Sequence, residues 1–93
     1  MSIENERAFI LREAENLING QRADDYGSPQ VNFSRIAKLW EPILGLEITP
    51  VQAALMLAQL KVARLINTPT HRDSYIDAAG YIALGAELAK DTK

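Results

Sequence analysis

The chain has 93 residues, 47% of them apolar and 24% charged, with a formal net charge of -2 and no cysteine. That length holds one domain with one core. The near-neutral balance excludes a global basic field for non-specific nucleic-acid binding, and the missing thiols exclude disulfides and thiolate chemistry. No stretch approaches the roughly 20 apolar residues of a membrane span, and the opening MSIENERAF is charged rather than apolar, so no signal peptide is expected. A soluble cytoplasmic protein with no membrane partner is the expectation.

The apolar spacing predicts an all-α fold, a compact four-helix domain over residues 1–93 with helices at about 4–19, 29–44, 50–66 and 71–89. In the first helix Ile3, Ile10, Ala14, Leu17 and Ile18 fall near one stripe, Glu13 and Glu15 belong to a solvated face, and Gly20 stands at the C-terminal glycine position. GQRADDYGSP follows as a loop, broken by Gly27 and Pro29. The second helix starts at Ser28 with Pro29 in its first position. Its predicted apolar face is Phe33, Ile36, Ala37, Trp40, Ile43 and Leu44, with Pro42 expected to kink it or end it early.

Thr49-Pro50-Val51-Gln52 carries the capping-box pattern that opens the third helix. From Pro50 to Leu60 there is no charge, and a helix apolar all round is surrounded by protein. Three other helices of so short a chain can scarcely enclose it, so a symmetric homo-oligomer is expected. Thr70-His71-Arg72-Asp73 suggests a second cap box, and the fourth helix is small-sided through Ala78, Ala79, Gly80, Ala83 and Ala86.

The polar chemistry is concentrated between Lys61 and Tyr81. Lys61 and Arg64 stand three apart and share a helical face. They either complement the helix dipole, pair with Asp73 and Asp77 across the turn, or neutralise phosphates, Arg64 by its fork and Lys61 as a point charge. His71 and Arg72 open the fourth helix, where free N–H groups favour anions. Asp73 is explained as a cap-box acid near the helix N-terminus. Asp77 stands in an apolar context and needs a partner: it can orient Arg64, accept a ribose hydroxyl, or, with Asp73, help hold Mg²⁺. Tyr81 follows Asp77 by one turn. Tyr26 lies in the polar loop near Asn32, Phe33 and Trp40, where it can stack on a base or pack on its own domain. No serine nucleophile has a partner motif, and no metal-spaced histidine pair exists.

Taken together, DYGSPQVNFSRIAKLW, TPVQAALMLAQLKVARL and HRDSYIDAAGYIAL resemble a family of short phage and prophage proteins of unknown function, over about Ile10 to Leu88. There is a looser similarity to small helical MazG-type nucleotide pyrophosphohydrolases, which gather Mg²⁺ with E-x-x-E and E-x-x-D pairs. Here Glu13 and Glu15 lack that spacing and Asp73 to Asp77 is a four-residue step. The family itself implies no activity. A phage origin suggests, by analogy of role with small oligomeric phage proteins that sequester nucleotide second messengers of bacterial defence, a homo-oligomer in the host cytoplasm that holds such a signal without cutting it. Its ligand-binding residues would be Lys61, Arg64, His71, Arg72, Asp77, Tyr81 and Tyr26, with no cofactor. The alternatives are a Mg²⁺-dependent hydrolase using Asp73 and Asp77, and a structural or protein-interaction module.

Overall fold

The computed structural model describes residues 5–20 and 27–90. Ile3, Tyr26 and most of the expected loop lie outside the described residues, which otherwise form four helices and no strand.

Helix α1 spans Glu6–Asn19, and its cap is Asn5, whose side chain accepts the Ala8 N–H at 2.9 Å. Ala14 is buried and Ile10, Leu17 and Ile18 are half-buried, as the stripe predicts. Gly20 follows at φ -100°, outside the left-handed region. The need for glycine there is steric, because a Cβ would lie 2.6 Å from the Asn16 carbonyl oxygen.

Helix α2 spans Pro29–Leu44, with Ser28 as cap and Pro29 in the first turn. Pro42 does not end it early. The helix runs two residues further and stops at Gly45, which adopts φ 69° and donates its N–H to the Glu41 carbonyl at 2.8 Å. A proline this close to the C-terminus removes a single ladder bond, so the last turn survives. Phe33 and Ala37 are buried and Ile36 and Trp40 half-buried, but Ile43 and Leu44 are 80% and 49% exposed. The expected apolar face therefore stops at Trp40. Past it, Glu41 occupies the inner side and accepts the N–H of buried Ile48 at 2.9 Å.

Helix α3 spans Pro50–Asn67 and opens with the predicted capping box. Thr49 accepts the Gln52 N–H at 3.1 Å and the Gln52 side chain accepts the Thr49 N–H at 2.9 Å. Helix α4 spans Arg72–Lys90. The Thr70–Asp73 box does not form; His71 takes the cap position instead. Its carbonyl accepts the Ser74 N–H at 3.2 Å, and its Nδ1 lies 2.6 Å from the fully buried Ser74 hydroxyl. A buried hydroxyl needs such a partner, and His71 supplies it from the right distance along the turn.

The short connection at 68–71 folds α3 and α4 into an antiparallel hairpin, the centre of the molecule. At Gly85 the helices meet closely, since a Cβ there would sit 3.4 Å from Leu55 Cδ2 and 3.7 Å from Ala54 Cβ. Helix α2 packs along α3, and α1 packs along α4 in the same direction, with Glu6 by Arg72 and Ile18 by Gly80. Among the described residues, helices α1 and α2 do not pack on one another. The core lies where α2 meets the hairpin, at Phe33, Ala37, Ile48, Ala53, Ala54 and Leu88. Half of α3 is left uncovered, with Leu60 51% and Ile66 81% exposed. Among the described residues no helix is long and apolar enough to cross a membrane.

Candidate functional site

The seam between α3 and α4 carries the polar residues that the sequence concentrates between 61 and 81. Lys61 Nζ lies 3.0 Å from Asp77 Oδ2, and both side chains are largely buried, at 14% and 19% exposure. Of the pairings open to Lys61 and Arg64, the structure makes this one. Asp77 thus has the partner its apolar context demands, and Lys61 is already neutralised.

Asp77 also forms part of the wall of a groove of about 550 Å³, which opens where α1 ends and α2 begins. Ile18 comes from α1, Asn32 and Phe33 from α2, Leu57 from α3, and Tyr81 and Glu87 from α4. The Tyr81 ring meets Phe33 edge-on, with centroids 6.3 Å apart and planes at 86°, the arrangement aromatic quadrupoles favour. Its hydroxyl has no hydrogen-bond partner among the described residues. The groove has the volume of a small-molecule site, walls that are mainly apolar, and a few polar groups aimed inward.

Arg64 follows Leu57 by seven residues, two helical turns, and so lies on the same side of α3 roughly 10 Å further along. It is exposed, without a carboxylate partner among the described residues. With Asn67, Thr68 and His71 it lines a shallow depression of about 310 Å³ at the turn of the hairpin. Arg64, His71 and two neutral hydrogen-bonding side chains give this corner donors and no acid.

Arg72 is directed elsewhere. Its Nη2 meets Glu6 Oε2 at 2.8 Å and its guanidinium lies 4.4 Å over the Phe9 ring, which ties α4 to α1. Asp73 is exposed on the first turn of α4 and Asp77 is held by Lys61. Among the described residues no three histidine, aspartate or glutamate side chains come close enough to hold a metal ion. Asn67 and Thr68 complete the corner without having been singled out in the sequence, where they look like an ordinary helix end. Glu6 stands 66 positions from Arg72 in the sequence, and no local signal links them.

Residues 9–89 match the family described as Domain of unknown function (DUF6378). The chain belongs to that family. The Gene 55 protein of Mycobacterium phage L5 is 48% identical over 73 residues, covering 77% of this chain and 47% of that protein. The Gene 55 protein of Mycobacterium phage D29 is 44% identical over 72 residues, covering 77% and 48%. The chain spans about half the length of the curated relatives it matches. No solved structure matches it. The resemblance to phage proteins of unknown function holds, and the family match over residues 9–89 takes in the groove and the Arg64 corner.

Proposed function

We propose that this phage-type protein binds a nucleotide-derived, phosphate-bearing ligand and keeps it from use, as a sponge for a defence signal in the host cytoplasm. The observation that carries this reading is Arg64, a cation unpaired among the described residues, on the side of α3 that also lines the groove. The base and sugar occupy the groove, where Tyr81 offers a hydroxyl and ring edge, Asn32 an amide, and Asp77 an acceptor. The phosphates extend to the corner, where Arg64 and His71 meet them. Lys61 acts through Asp77, fixing its carboxylate, and Arg72 acts through α1. Tyr26 completes the set expected from the sequence.

The phage relatives support a role inside an infected cell. The spacings of Glu13 to Glu15 and of Asp73 to Asp77, which differ from the E-x-x-E and E-x-x-D pairs of MazG-type hydrolases, support holding over cutting. A thermal-denaturation panel of linear and cyclic nucleotides tests the reading, because a ligand that binds only the folded state raises its stability by about 2.7 kcal/mol at a hundred times its Kd. A hit recovered intact after incubation with Mg²⁺ supports sequestration. Recovery of a cleaved product gives the MazG-like hydrolase alternative, with Asp73 and Asp77 as its metal ligands. No shift across the panel leaves a structural or protein-interaction module.

A further inference from the structure

We infer that the outer face of the α3–α4 hairpin is the seat of a second copy of this chain, docked antiparallel about a two-fold axis at Gln59. The exposed stripe of α3 runs through Gln52, Leu55, Met56, Gln59, Val62, Ala63 and Ile66 without a charged side chain. Its large apolar members stand at exposures from 38% to 81%. Both cations of the helix lie off the stripe. Lys61 is turned away to Asp77, and Arg64, five positions on from Gln59, falls about 140° around the helix from it. The face continues onto α4, because Leu55 reaches Gly85, and Ile82 beside it is 49% exposed.

Its area suits a dimer. The 18 residues of α3 extend about 27 Å, and two helices about 8–10 Å apart give a face some 20 Å wide. That is a footprint on the order of 500 Å², and a ridged helical surface has more accessible area than its projection. A specific interface buries ~800 Å² per partner. An apolar patch of this size is at the upper end of what monomers leave open.

The occupant follows from charge and from symmetry. A charged partner finds nothing to pair with on this stripe, whereas a second copy brings an uncharged face of identical length. Gln59 lies midway between Gln52 and Ile66, seven residues from each, so an antiparallel two-fold there overlays the two stripes from end to end. The same axis sets Leu55 and Met56 of each copy level with the shorter Val62 and Ala63 of the other, large against small. Gln59 is the one polar side chain in the middle of the stripe. At the axis it meets its own counterpart, and a primary amide both donates and accepts, so the two satisfy each other. A polar pair at that position also fixes the register, as a lone core asparagine does between coiled helices.

Sedimentation equilibrium on the full chain tests this. The wild type sediments with twice the chain mass at micromolar concentration. Gln59→Glu, nearly the same shape, sets like charges against each other across the axis and weakens association at least tenfold. Its helicity by circular dichroism is retained, because the site is exposed and glutamate is a good helix former. Mixing Gln59→Glu with Gln59→Lys restores the dimer, which misfolding of either variant would prevent. Ile43→Glu, on the exposed end of α2, leaves association unchanged. A wild type that stays monomeric at about a hundred micromolar overturns the assignment, as does a dimer that Gln59→Glu leaves intact or that Ile43→Glu breaks.

Discussion

Lys61 and Asp77 join the two central helices through a 3.0 Å contact between an ammonium and a carboxylate that are both mostly out of solvent. Removing either one leaves its partner's charge in a poor solvent for it. Asp77→Ala is expected to lower the unfolding free energy by about 2 kcal/mol, a value below the fully buried range because some water reaches both groups. Lys61→Met combined with Asp77→Leu recovers most of that loss. Urea denaturation of the wild type, the two single variants and the double variant gives the coupling directly.

Arg64 has no such duty. Arg64→Ala changes stability by no more than about 0.5 kcal/mol, as for exposed positions generally. If Arg64 meets a phosphate as proposed, the substitution also removes a charge-assisted contact worth about 1.5–3 kcal/mol, and calorimetry with whichever nucleotide shifts the melting temperature shows roughly ten- to hundredfold weaker binding. Loss of the fold in Arg64→Ala would mark the residue as structural.

Gly80 keeps α1 close to α4. A Cβ placed there meets Ile18 Cγ2 at 3.1 Å, so the isoleucine must yield slightly. Gly80→Ala gains about 1 kcal/mol of helix propensity and comes out near neutral in thermal unfolding. Gly80→Ile forces the helices apart and costs about 1–3 kcal/mol. Part of that cost returns when Ile18→Ala is added, which no purely intrahelical effect would produce.

Glu41 closes the turn between α2 and α3 by accepting the Ile48 N–H at 2.9 Å. Glu41→Ala leaves a donor unmatched beside a buried residue, at a cost of about 1–3 kcal/mol. Glu41→Gln keeps an acceptor oxygen at the same reach and loses less than half of that. Chemical denaturation of the two variants separates hydrogen bonding from the side chain's size.

The helices were legible because their signals are local. Thr49 and Gln52 lie three apart, Ser28 precedes Pro29, and a backbone reads such neighbours before any tertiary contact forms. The α4 cap slipped from Thr70 to His71 because Ser74, buried in the fold, draws the histidine ring toward it. Ile43 and Leu44 have the right spacing for a core face, but spacing cannot tell which neighbour is present, and the inner side past Trp40 belongs to Glu41. Of the polar residues, the Lys61–Asp77 pairing was one of the alternatives the sequence left open, whereas the engagement of Arg72 with Glu6 and Phe9 depends on where α1 comes to rest. The groove was invisible in the sequence for the same reason. It exists between two helices that do not pack on each other.

That separation has a mechanical consequence. Helices α1 and α2 are each anchored to the hairpin independently, so α1 can detach, breaking its Arg72 clasp and its seat against Gly80, while α2 and the core around Phe33 stay folded. A ligand lying in the groove would touch Ile18 on one side and Asn32 on the other, and so become a cross-brace between elements that do not otherwise pack on each other. Occupancy would then be written in the amide exchange of α1, far from the atoms that hold the ligand.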